Sequence, residues 1–357
     1  MADVDFSCIT PCPHAPGGDC NACITRACLI ICAAGCRTNS GTELMTVFGR
    51  EARVPAFTKM DHEWLARLVS PGNRAIEAAD RLSRRADALV ATVGDVEPLG
   101  PVDVVCSGGG NIDAYYMGVA MVLTRLEARG LLTQKRTAGV SAGGMLPFEI
   151  ELKGEATTLT DHLTYGVLQE EHPDGDIVTA SLRQDHQWRL MADQMVPAHA
   201  DALAALSGRV FLGTTCLTPL PRLLLVDNYT SAAQAASAFM STGTIVEAYE
   251  GKVCTDGGAT SGARMTPLFH DGVRPQIIVS LLPSDHPGVP SSMLWRYNLS
   301  SFAALIERGQ DDASAMVRCG AMRPGCWTRQ IAVCPTDRAR DSNVCADAPI
   351  DHPRSYE

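Results

Sequence analysis

Lysine is nearly missing from this chain: it stands only at positions 59, 135, 153 and 252, so arginine supplies 26 of the 30 cations. Aromatic residues are sparse too, at 5% of 357 positions. No block of cations stands out, and 40 acidic residues outweigh the bases to give a net charge of −10 at pH 7. Nucleic acid binding needs a concentrated positive surface that displaces counterions, and the sequence offers none. No run of about 18 uninterrupted apolar residues occurs, which excludes a membrane-crossing helix. The start, Met1 to Phe6, holds two Asp and no cation, so it does not read as a secretory signal. Disorder is excluded as well, because 46% of residues are apolar and only 20% are charged.

What is present is unevenly spread. Seven of the 14 cysteines lie at 8, 12, 20, 23, 28, 32 and 36, and four more at 319, 326, 334 and 345. The remaining three, Cys106, Cys216 and Cys254, fall in apolar strand patterns and read as plain core residues. Four regions follow: a Cys-rich arm over 1–45, a helical extension over 46–98, a domain of alternating strands and helices over 99–310, and a tail over 311–357. The arm has three readings. Cys20-x-x-Cys23 with Cys8, Cys12 and His14 nearby is a zinc pattern, though only one such pair exists. Disulfides would need a partner in the tail or another chain, because seven is odd. Cys28, Cys32 and Cys36 would share one helical face, which suits acylation, a membrane surface or a packed helix with buried thiols.

In the extension, Ala75, Ile76, Ala79, Leu82, Ala86, Leu89, Val90 and Val93 fall on one helical face, with Arg and Asp opposite. This predicts an amphipathic helix packed on a core, with a membrane-surface role as the weaker reading. After Pro98-Leu99-Gly100-Pro101, strands are predicted at 102–106, 209–215, 222–226, 252–255 and 276–282. Helices are predicted over 112–129 and from the Ser231 cap through Met240. Alternation of this kind implies a mostly parallel sheet with helices on both faces.

Three motifs carry chemistry. Gly139-x-Ser141-x-Gly143 fits a nucleophile elbow, in which a strand turns sharply into a helix and lifts a hydroxyl to the helix N-terminus. Gly108-Gly109-Gly110 leaves backbone N–H groups free to bind an anion. Pyrophosphate would need a third glycine where Asp113 stands, so an oxyanion is the better fit. Asp256-Gly257-Gly258 puts a carboxylate at a strand end, although a turn Asp is common.

The order and spacing of these motifs resemble the patatin-like phospholipase family. The flanks resemble it too: Tyr115-Tyr116-Met117-Gly118-Val119-Ala120 after the glycine run, the Ala- and Ser-rich stretch 235–238 before the Asp strand, and Pro267 after it. The likeness spans about residues 100 to 285. It implies a three-layer α/β/α sandwich with the 99–310 region as its catalytic domain. It also implies lipid acyl-ester hydrolysis by a Ser141–Asp256 dyad, with no metal or organic cofactor. Gly108, Gly109, Gly110 and the N–H of Ala142 would hold the oxyanion, and Gly139, Gly143, Gly257 and Gly258 complete the motifs. The substrate would be a phospholipid or acylglycerol met at a lipid surface. Two departures stand out. Ile112 and Asp113 replace the cation and glycine of the plant and bacterial members, and Pro147 sits early in the helix after the serine. A catalytically impaired lipid-binding or scaffold protein is therefore one alternative. A Ser–His–Asp esterase using His270 or His286 is the other.

Overall fold

The computed structural model describes residues 42–47, 50–55, 67, 71–93, 98–171, 177–217, 220–244, 247–260, 269–271, 275, 277–282, 286, 288–289 and 297–318. The seven arm cysteines, His14, the four tail cysteines and Pro267 lie outside them.

The elements run in order β1 (Thr42–Val47), β2 (Arg50–Pro55), α1 (Asn73–Ala91), β3 (Pro101–Cys106), α2 (Asp113–Ala128), β4 (Thr133–Val140), α3 (Ala142–Lys153), α4 (Glu155–Glu171), α5 (Ile177–Ala198), the one-turn α6 (Leu203–Leu206), β5 (Val210–Cys216), β6 (Arg222–Val226), α7 (Ala232–Gly243), β7 (Glu247–Tyr249), β8 (Lys252–Asp256), β9 (Ile277–Val279) and α8 (Leu299–Arg318). β1 and β2 form a separate antiparallel pair. Residues 46 to 55, expected as part of a helical extension, thus lie largely in strands, an outcome the sequence does not announce, because Thr42-Glu43-Leu44-Met45-Thr46-Val47 has no strict alternation of polar and apolar positions.

The main sheet runs β7-β8-β5-β4-β3-β9, with β6 also on β5. Its centre, β9-β3-β4-β5, is parallel throughout. β6, β7 and β8 join antiparallel. The fold is mixed α/β with a parallel centre, compatible with a three-layer sandwich. Among the described residues no helix is long and apolar enough to cross a membrane.

Sharing of one edge of β5 positions the site. β6 runs along Leu212–Cys216, β4 pairs with Val210–Gly213, and β8 pairs with Thr214–Cys216. A strand has two edges, so β4 and β8 must occupy the same one and meet end to end. Val140, the last residue of β4, faces Gly213; Asp256, the last of β8, faces Thr214.

One apolar core takes in α1, the sheet, α2 and α8 together. α2 is buried on nearly every face from Asp113 to Leu123, which fits a helix covered on both sides. It meets α8 with the backbones almost touching: a Cβ on Gly118 would overlap the Ile306 carbonyl, and one on Gly309 the Tyr115 carbonyl. The helix α1 packs into this same core, and α8 runs through residue 310 without a break.

Cys216 and Cys254 are not plain core residues: they are register partners on β5 and β8 and form a disulfide. Cys106 stays a free, buried thiol, and burial pushes its pKa well above the ordinary value. The bridge closes a loop across 38 positions, for which chain entropy gives about 4 kcal/mol of stabilisation. Replacing both cysteines by Ala is expected to lower the denaturation free energy by about that amount. An unchanged denaturant midpoint would show that the bridge contributes nothing.

Candidate active site

Ser141 stands between β4 and α3 at φ 53°, ψ −141°. Only Ser141 and Glu250 among the described non-glycine residues have positive φ. Such a conformation costs energy and persists only where its surroundings enforce it. The enforcement here is visible. The Ser141 N–H donates to the Thr242 carbonyl at 2.9 Å, and its carbonyl accepts from Gly144 and Met145 at 2.9 and 3.0 Å. A Cβ on Gly139 would overlap the Gly143 carbonyl, and one on Gly143 would overlap the Ser107 carbonyl. Both glycines of the motif are thus required by close backbone approach. Pro147 lies well inside α3 rather than in its first turn, and the helix continues to Lys153. It offers no N–H to the Gly143 carbonyl four residues earlier, the same carbonyl that Gly139 packs against.

Asp256 arrives from the opposite direction along the same edge of β5. Its carboxylate accepts from the Ser141 hydroxyl and, through Oδ1, from the Gly258 N–H at 2.7 Å. Burial raises its pKa to about 6, and those two hydrogen bonds restrain the rise. Gly257 has to be glycine, because a Cβ there would overlap the Gly213 carbonyl and press on Val140.

The two motifs are tied by one short segment. Thr242 accepts the Ser141 N–H, and Thr244 accepts the Asp256 N–H at 2.9 Å. The Thr242 hydroxyl donates to the Gly213 carbonyl, and the Thr214 hydroxyl to the Ser241 carbonyl at 2.7 Å. The end of α7 therefore sets the separation of nucleophile and base. Sequence reasoning missed Gly213, Thr242 and Thr244. A Cβ on Gly213 would lie 2.6 Å from the Val140 side chain and 3.3 Å from the Gly139 carbonyl. Gly213→Ala is expected to cost about 1–3 kcal/mol of stability by overpacking. It should also slow hydrolysis at least tenfold through displacement of the elbow. Wild-type rates in a variant with a lowered melting temperature would separate Gly213 from the site.

The glycine run leaves the tip of β3 beside the elbow, since Cys106 pairs with Gly139. Its shape is fixed from β9: the Ser107 N–H donates to the Val279 carbonyl at 3.0 Å, and the Ser107 hydroxyl accepts from the Leu281 N–H at 2.7 Å. A Cβ on Gly109 would overlap the Leu281 carbonyl, and Gly110 has φ 54°. Among the described residues the N–H groups of Gly109 and Gly110 hold no hydrogen bond. Gly108 is buried beside them, and Ala142 begins α3, so its N–H has no partner inside the helix. The strand register puts the glycine run and the elbow at the same end of the sheet.

Asp113 does not face this site. It is buried with His162 and Glu149, and burial raises its pKa to about 7. Ile112 is fully buried. Neither histidine joins the dyad. His270 lies near Phe211 at the start of β5, with Nε2 4.0 Å from Asp227. His286 is buried, with Nε2 2.7 Å from the Ser280 carbonyl and its ring edge-on to Tyr115. Among the described residues no group of three His, Cys, Asp or Glu side chains is placed to hold a metal ion. No protein-family model matches this chain, and no curated protein matches it.

Proposed function

We propose that the chain is a serine acyl hydrolase of patatin-like architecture that cleaves carboxylic esters of glycerolipids at a lipid surface. The Ser141–Asp256 hydrogen bond, formed where two strands meet end to end, carries this reading. Asp256 takes the hydroxyl proton as the Ser141 oxygen attacks the ester carbonyl. The N–H groups of Gly109, Gly110 and Ala142 face the resulting oxyanion, and one such donor is typically worth about 3 kcal/mol. Asp256 returns the proton to the leaving alcohol, and water then releases the fatty acid by the same steps. The placement of Asp113 away from the dyad supports an active rather than an impaired site.

The test is fatty-acid release from mixed phospholipid and acylglycerol vesicles, with and without chelator. Release by the wild type that chelator leaves intact and Ser141→Ala abolishes is the expected result. Vesicle binding without release by folded wild-type protein would favour the lipid-binding alternative.

A further inference from the structure

Between α4, α5 and Tyr297 lies a cavity of about 30 Å³ whose wall includes Asp161, His162, Tyr165, Gln184, Gln187, Trp188 and Tyr297. A single water needs about 10–15 Å³, so the space takes about two non-hydrogen atoms. It is a built site. Gln187 is 4% exposed and its Oε1 has no hydrogen-bond partner, whereas the Nε2 of the buried His162 is turned to Glu149. The Gln187 oxygen is not used by the dyad.

The surrounding charges decide what fits. Glu149 and Asp161 face Lys153 at 2.9 and 2.7 Å, and His162 lies 3.5 Å from Glu149. Burial opposes charge on Glu149, but Lys153 and His162 outweigh it and hold the carboxylate ionised. Burial likewise opposes charge on His162, and Glu149 and Asp113 more than offset it. Two carboxylates thus meet two cations, with Asp113 behind them. A cationic guest would face His162 and an anionic guest Asp161, both on the cavity wall and each already paired within this charge cluster. A wholly apolar guest would leave the Gln187 carbonyl oxygen unpaired, which is the costly outcome for a buried acceptor.

We infer that this cavity binds the terminal hydroxymethyl group of a neutral polyol. The hydroxyl donates to Gln187 Oε1, and the methylene lies against the Trp188, Tyr165 and Tyr297 rings. The guest also touches the glycine run indirectly, because Gln184 Nε2 donates to Asn111 Oδ1 at 2.6 Å and Asn111 follows Gly110. Binding does not require Ser141 to be a nucleophile.

Glycerol is the probe, titrated into the full chain and followed by saturation-transfer NMR. 1,2-Dimethoxyethane, which has no hydroxyl donor, is the control. Saturable glycerol binding is expected. It should weaken at least tenfold in Gln187→Leu and survive in Gln187→Glu and Ser141→Ala. If Gln187→Leu fails to fold, Trp188→Phe, which draws back one wall and loosens the fit, should weaken binding several-fold. Failure of glycerol to bind saturably, equal binding of dimethoxyethane, or undiminished binding in the tested variant would overturn the assignment. Kinetics then separate two sources of the polyol. A KM raised in Gln187→Leu for a monoacylglycerol but not for the matching ethyl ester makes the hydroxymethyl the substrate's own. Unchanged KM values with glycerol binding lost make it a free polyol, and either result supports the site.

Discussion

Ser141→Ala and Asp256→Asn are each expected to slow ester hydrolysis at least about 1000-fold, with the double variant no slower than the worse single one. Groups that act as one unit lose nearly everything with the first removal, so their effects do not add. The dyad is such a unit, because Asp256 matters only through the hydroxyl it accepts from. The pH profile gives a second, independent check. A general base works only when deprotonated, and Asp256 is pushed up to about 6 by burial. kcat/KM should therefore rise through about pH 6 and level off above it. Wild-type activity in both His270→Ala and His286→Ala is expected from their positions. A loss in either as deep as that of Ser141→Ala would replace the dyad with a triad, and additive losses at Ser141 and Asp256 would mean that they do not act together.

The motifs were legible because each is local. A turn from strand to helix demands small residues beside the serine, and Gly139 and Gly143 are small because carbonyls four residues away or in the next loop press on them. The strands at 102–106 and 222–226 and the Ser231 cap announce themselves through apolar runs and a side chain that accepts from Gln234. What was hidden depends on pairing across long separations. Nothing local in Ser241-Thr242-Gly243-Thr244 says that its carbonyls will hold both Ser141 and Asp256. A mid-strand Gly213 says only that something comes close. Cys216 and Cys254 look like any strand cysteines until the register of β5 and β8 sets them opposite each other. Asp113 follows the glycine run closely enough in sequence to suggest an impaired site, whereas in the first turn of α2 it is buried near His162 and Glu149.

That buried carboxylate carries the second large effect, on stability rather than rate. Burial moves Asp113 from 3.8 to about 7, with His162 pulling down and Glu149 pushing up. The folded protein then holds a proton that the unfolded chain has already released, so stability falls as pH rises between those two values. The difference corresponds to about 4 kcal/mol lost by pH 8 relative to pH 4. His162 acts in the same sense. Its folded pKa is raised above 6.5, so its contribution is complete below that value and is lost as pH climbs through the folded one. Glu149 acts the other way, because its folded pKa lies below 4.5 and its contribution disappears only in stronger acid. The melting temperature should peak near pH 5 and decline toward pH 8. Asp113→Asn removes the ionisation but also the attraction to His162, so about half the loss should be recovered. For a domain of this size that is a rise of at least about 4 °C at pH 8, with little change at pH 5. Wild-type and Asp113→Asn curves that run parallel from pH 5 to 8 would mean that Asp113 ionises as it does in the unfolded chain.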